Sequence, residues 1–168
     1  NNNPIVDEIS KIAIRKIKKS LPLVIEDKEN LNYRKEMQMA AFFAGIAMSK
    51  TKTAICHSIS YPITSLFGIS HGIACSLTLS EVSKLMIKKH KTRCEIVSKA
   101  MGCKNKELEN TILDFFKKMN YGKYLNPIKN IPMDETINFI NPARAKNSLI
   151  KVTNIDAVNM VRNAIRKL

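Results

Sequence analysis

The sequence predicts an all-α fold, a helical bundle, and three observations carry that prediction. Apolar residues recur at three- and four-residue spacing along most of the chain, only five glycines punctuate it, and tryptophan is absent. With 45% apolar and 25% charged residues, a chain of 168 residues buries one sizeable core, so a single helical domain over residues 1–168 is expected.

The first helix starts at Pro4. Asn3 is suited to cap it, proline fits the first helical position, and Asp7 and Glu8 set acids against the positive helix end. Ile5, Ile9, Ile12, Ala13 and Ile17 share one face, and Lys16, Lys18 and Lys19 close the helix near Ser20, ahead of Pro22. A second helix spans Leu31 to Lys50. Its run from Met37 to Met48 is apolar on almost every side, which predicts a place in the middle of the domain. A third, from Thr53 to Leu66, carries His57 and Tyr61 four residues apart on one face, with Pro62 perturbing the turn after them, and ends at Gly68. His71-Gly72 opens a long helix through Lys89. Shorter helices follow over Thr92 to Met101, Lys106 to Met119 and Asp134 to Ile140, and a last amphipathic helix begins at Asn154 with Ile155, Val158, Val161 and Ile165 on its apolar face. The opening Asn1-Asn2-Asn3 has no initiator methionine, so the chain is expected to be a piece of something longer.

Charge and cysteines narrow the function classes. The formal charge of +14 comes from 28 basic residues spread along the chain, with small concentrations at Lys16-Ile17-Lys18-Lys19 and Lys88-Lys89-His90-Lys91. No aromatic-rich or recognition motif accompanies them, so solvated faces are expected rather than a nucleic-acid surface, with attraction of anions as the other reading. Cys56, Cys75, Cys94 and Cys103 form no C-x-x-C pair and read as reduced, buried thiols. No stretch approaches the roughly 18 to 20 apolar residues of a membrane span, and no signal peptide opens the chain, so a soluble cytoplasmic protein with no membrane partner is expected.

Thr51 to Leu85 is the candidate site, because His57 and His71 both lie in it, each among apolar and small residues. A loop at Gly68 can fold His71 back toward His57, and two imidazoles suit a divalent transition metal, but two ligands do not make a site. Satisfied core or capping histidines are the competing reading. A structural zinc site built from the i, i+4 pairs His71/Cys75 and His90/Cys94 is a rival, set back by the long helix expected between them. Cys56 beside His57 is a poor nucleophile pair, since adjacent helical residues point apart.

The run His57-Ser58-Ile59-Ser60-Tyr61-Pro62, followed by Gly68-Ile69-Ser70-His71-Gly72, resembles the signature of the iron-containing alcohol dehydrogenases, H-x-x-x-H-P and then G-x-x-H-G. The resemblance extends over essentially the whole chain, which looks like that family's C-terminal all-α domain. It implies that His57 and His71 bind Fe(II) or Zn(II), and that NAD(P)H delivers hydride to a small aldehyde whose oxygen the metal polarises. It also implies that an Asp-x-x-x-His pair completing the metal site, and a dinucleotide-binding α/β domain holding NAD(P), precede Asn1. This stretch alone is then expected to be inactive, and the enzyme a homo-oligomer.

Tyr61 stands where many members have a second signature histidine, so a phenol takes over substrate positioning or proton relay there. Tyrosine at this place looks more like the branch that reduces phosphonoacetaldehyde to hydroxyethylphosphonate. Met48 matches a position bordering the substrate in relatives, with core packing as its other reading. If the substrate bears a phosphonate, Lys50 or Lys52 is a candidate anion partner, solvated helix-end charge being the alternative. The family's Asn-Pro-Arg-like turn is matched only loosely by Ala145-Lys146-Asn147-Ser148, and no functional residue is carried there. A stand-alone, non-catalytic helical module that binds a partner or a metal is the reading from a different class.

Overall fold

Asn3 caps the first helix as its sequence predicts, its side-chain oxygen accepting the Val6 amide at 2.9 Å with Pro4 at the first position. Residues 3–168 are described by a computed structural model. Asn1 and Asn2, and with them the reading of the chain's opening, lie outside the described residues. The helices are α1 (Pro4–Glu26), α2 (Leu31–Lys50), α3 (Ile55–Phe67), α4 (His71–Leu77), α5 (Leu79–Lys89), α6 (Lys91–Met101), α7 (Leu108–Lys118), α8 (Pro142–Ala145) and α9 (Asn154–Lys167). Short 3-10 stretches cover Asn105–Glu107 and Tyr121–Ile128, and no strand forms among the described residues. The fold is all-α.

The core lies where α3, α4, α7 and α9 converge. Ile55, Ile59 and Ile63 recur every four residues along α3 and are at most 2% exposed. They meet Ala74 and Leu77 of α4, Ile112 and Phe116 of α7, and Val158, Val161 and Ala164 of α9 in one cluster. Ile155, expected on the apolar face of α9, is 53% exposed instead, because that helix turns Ala157 and Ala164 inward and leaves its first turn at the rim.

Four expectations are corrected. First, α1 does not stop near Ser20 but runs through Pro22 to Glu26; packing of Leu21 and Ile25, on either side of the buried Pro22, against the core offsets the hydrogen bond that the proline lacks. Second, α2 is not in the middle of the domain. It packs chiefly against α1, burying only Ala40 and Ala47, while Phe42 is 60% exposed; a helix that is apolar all round still buries only the side that has a neighbour. Third, the helix from His71 to Lys89 breaks at buried Thr78, whose φ of −92° and ψ of 8° fall outside the helical well. Fourth, Asp134 to Ile140 is a turn leading into extended chain. The Asp134 carboxylate accepts the Thr136 amide at 3.0 Å, an Asx-type bond that competes with helix, and the Phe139 amide is taken at 2.8 Å by Asn154 of α9.

Gly68 and Gly102 end α3 and α6 in the left-handed region, both at φ 66°, where a β-carbon is costly. The α1–α2 hairpin has its own seam: Val6, Ala13 and Ser20 are buried every seven residues on α1, as are Ala40 and Ala47 on α2. Asp7 and Arg93 tie α1 to α6 through two hydrogen bonds at 2.7 and 2.9 Å, and the Lys18 ammonium donates to the Met101 carbonyl. Elsewhere α1 faces α5 and α7 across an apolar cleft of about 860 Å³ bordered by Ile14, Leu21, Val82, Met86 and Ile112. No helix among the described residues is long and apolar enough to cross a membrane.

Candidate metal centre

Gly68 sets the geometry of the site. Its left-handed turn ends α3 and lets the chain reverse within three residues, so that α4 starts at His71 alongside the helix that carries His57. The two imidazole rings stand edge to face, their centroids 5.5 Å apart. The Tyr61 ring, one turn on from His57, is tilted against His71 at 6.0 Å and 38% exposed. His57 is half-buried and His71 exposed, so the pair sits at the surface end of the core rather than within it.

Cys75, one turn beyond His71 on α4, completes the cluster. One ligand atom each from His57, His71 and Cys75 lies within 4.8 Å of the others, close enough for side-chain rotations to bring them around one ion. Sγ of Cys75 is 3.3 Å from Nε2 of His71 and donates to the Ser60 hydroxyl at 3.2 Å, while Ser60, fully buried, donates in turn to the His57 carbonyl at 2.9 Å. Ser60 thus links the backbone under one histidine to the side chain beside the other.

Electrostatics favour neutral donors. Burial first, then the neighbouring His71 and Arg144, hold the His57 imidazole below its usual pKa, which keeps a lone pair available at neutral pH. Burial raises the Cys75 thiol above its usual value, so without an ion it stays protonated and holds His71 as a thiol rather than as a thiolate. Two imidazoles with a thiol at hand form a borderline donor set that fits Fe(II) or Zn(II). Cys56 points away from this chemistry: burial pushes its thiol up to about 11.

The structure therefore brings together His57, His71 and Tyr61, and leaves Met48 and Lys52 on the surface. Met48 is 54% exposed in the last turn of α2, which contradicts its reading as core, and Lys52 is exposed in the connector to α3. The rival zinc arrangement does not form, since His71 and Cys75 turn to His57 while His90 bonds the Leu149 carbonyl at 2.9 Å. The buried-thiol expectation holds fully for Cys94 alone; all four cysteines are free.

A latch around α8 escaped the sequence reading. Ser58, 1% exposed, donates to the Phe139 carbonyl at 2.9 Å and accepts the Asn141 amide at 2.6 Å. Asn141 caps α8 through the Arg144 amide, and the Arg144 guanidinium reaches back to the Thr53 hydroxyl at 2.9 Å, just ahead of α3. The local signal for it was the Asn141-Pro142 pair, a cap residue followed by a proline at the first helical position.

An all-α domain with two histidines converging from consecutive helices defines a class of helical domain with a candidate metal site. The chain matches the Fe-containing alcohol dehydrogenase family, C-terminal part, over residues 1–165, and it belongs to that family. It is 36% identical over 70 residues to a phosphonoacetaldehyde reductase of Streptomyces viridochromogenes, covering 42% of this chain and 18% of that protein. To an NADPH-dependent butanol dehydrogenase of Clostridium saccharobutylicum it is 31% identical over 123 residues, 71% of this chain and 31% of the other. In fold it is similar to a sulfoacetaldehyde reductase of Bifidobacterium kashiwanohense solved with NAD+, with a TM-score of 0.77 at 21% identity over 97% of this chain and 44% of that one. It is also similar to an iron-containing alcohol dehydrogenase of Thermotoga maritima, with a TM-score of 0.74 at 24% identity over 98% and 43%. The chain spans less than half the length of each of these relatives.

Proposed function

We propose that residues 1–168 are the metal-binding helical domain of a cytoplasmic, homo-oligomeric NAD(P)-linked reductase of small aldehydes, phosphonoacetaldehyde among its candidate substrates. The observation that carries this reading is the 5.5 Å approach of His57 and His71 from α3 and α4, at the two places where the signature puts metal-binding histidines. In this reading a preceding α/β domain supplies the nucleotide and the remaining ligands, consistent with relatives of more than twice this length.

His57 and His71 would hold the ion, which as a bound Lewis acid supplies polarisation of a carbonyl group. The chain's own residues do the rest. His57, kept neutral by burial and by neighbouring positive charge, presents its lone pair without waiting for deprotonation. Ser60 and Cys75 fix the orientation of the two histidines relative to each other. Tyr61, exposed beside His71, offers a phenol that accepts or donates one hydrogen bond, which suits it to orient a small polar substrate and to pass a proton at its hydroxyl oxygen. The stand-alone module has no observation in its favour beyond the half-length match.

The test is metal analysis and aldehyde reduction by the enzyme that carries this chain behind its nucleotide-binding domain, with NADH and NADPH, on phosphonoacetaldehyde, butanal and propanal. Reduction that is lost with chelator and with His57→Ala or His71→Ala is expected, and no turnover by residues 1–168 alone. Turnover indifferent to both histidines, or by this stretch by itself, overturns the proposal.

A further inference from the structure

Arg144 is a half-buried guanidinium with no acid paired to it among the described residues. The ion pairs among the described residues join Lys11 to Glu8, Lys16 to Glu36, Arg93 to Asp7, and Lys167 to Glu81 and Glu109, and none reaches Arg144. Its one side-chain hydrogen bond spends a single N–H on the Thr53 hydroxyl, leaving the other donors of the fork uncommitted. A cation held partly out of water without a counter-charge is poorly compensated, and an oxyanion arriving from outside would supply the missing partner.

The position is fixed. Ser58 clamps the Phe139 carbonyl and the Asn141 amide, Asn141 caps the α8 turn, and Asn147 donates to the Thr53 carbonyl at 3.1 Å, so the guanidinium is tied to the chain four residues before His57. By contrast Lys50 and Lys52 are exposed, long and mobile charges with no such support.

We propose that Arg144 receives the anionic end of an aldehyde substrate that carries a tetrahedral oxyanion, phosphonate or sulfonate, while the aldehyde end lies toward His57 and His71. This rests on the reductase reading above and assigns the anion to Arg144 in place of Lys52. A guanidinium fork matches two oxygens of such a group at once, giving orientation as well as charge.

The experiment compares the whole enzyme with its Arg144→Ala, Arg144→Lys and Lys52→Ala variants on phosphonoacetaldehyde, sulfoacetaldehyde and neutral propanal. Arg144→Ala is expected to raise KM for at least one oxyanion aldehyde about tenfold or more beyond its effect on propanal, with Arg144→Lys between and Lys52→Ala smaller. Whichever aldehyde shows the effect identifies the head group. An independent readout is a shift of the Arg144 Nε–H resonance on titration with 2-hydroxyethylphosphonate or ethanesulfonate. If Arg144→Ala fails to fold, Arg144→Gln, which keeps an N–H donor and most of the side-chain stem without the charge, is read in the same way. Equal KM changes on charged and neutral aldehydes, or a loss confined to kcat on all three, overturn the inference. So does a wild type that reduces propanal but neither oxyanion aldehyde, which leaves the reductase reading standing. No metal-dependent reduction of any aldehyde overturns both.

Discussion

Ser58→Ala tests whether the latch between α3 and the Phe139–Asn141 segment supports the site. The hydroxyl is 1% exposed and makes two bonds, to the Phe139 carbonyl at 2.9 Å and from the Asn141 amide at 2.6 Å. Phe139 is fully buried, so its carbonyl is orphaned when the hydroxyl goes, whereas water can reach the exposed Asn141. One lost bond plus one buried unsatisfied acceptor comes to about 2.5 kcal/mol, and the better helix propensity of alanine returns about 0.5. A net loss of about 2 kcal/mol corresponds to a fall of about 4–8 °C in Tm for a domain of this size. Calorimetry and urea unfolding measure the loss, and amide exchange at Asn141 should accelerate with it. A Tm within about 1 °C of the parent, with Asn141 still protected, would refute the account of the latch.

Other outcomes follow from single contacts. His57→Ala and His71→Ala should each abolish most binding of Zn(II) or Co(II), while Cys75→Ser, which perturbs the orientation of His71, should cost about tenfold in affinity by metal-competition titration. The hydrogen bonds and charge of Arg93 hold the Asp7 carboxyl below its usual pKa, so the folded state binds fewer protons there than the unfolded chain does. That contribution is present above the unfolded pKa of about 4 and is lost as pH falls through the folded value. The urea midpoint of Asp7→Asn should therefore trail the parent at pH 7, by no more than about 1 kcal/mol, with the gap closing toward pH 3. Gly68→Ala meets nothing within 4 Å of the new β-carbon, yet φ 66° should still cost about 1–2 kcal/mol and loosen the His57–His71 approach, seen as lower Tm and weaker metal binding together. Thr153→Ala removes the capping box with Asp156 and should lower stability by about 1 kcal/mol in urea unfolding.

What could be read from the sequence was local. Asn3-Pro4 and the glycines at 68 and 102 mark helix ends through φ preferences and side-chain caps that act within three or four residues, and these marks hold in the structure. The meeting of His57 and His71 was legible for the same reason, since one left-handed turn separates their helices. The α8 latch was not, because Ser58 and Thr53 find their partners more than 80 residues away, in extended chain and a four-residue helix with no periodicity of their own. Cys75 was visible as the i+4 neighbour of His71 but not as the neighbour of His57, which depends on how α4 packs on α3. The exposure of α2 was hidden too: periodicity reports which residues are apolar, not whether a second helix covers them.

The α1–α2 seam has a mechanical consequence. Its buried rows are mostly small residues, Ala13 and Ser20 with Val6 on α1 and Ala40 and Ala47 on α2, so the hairpin removes little apolar surface from water. Beyond α1 it is moored by Asp7–Arg93 and Lys18–Met101, with the cleft to α5 and α7 beside it. Such an element behaves as its own cooperative unit, opening at a fraction of the free energy that global unfolding requires. Native-state hydrogen exchange would then show α2 amides released first, as a block, while those of α3 and α4 wait for the whole domain, leaving the two histidines in register after half of the N-terminal hairpin has melted.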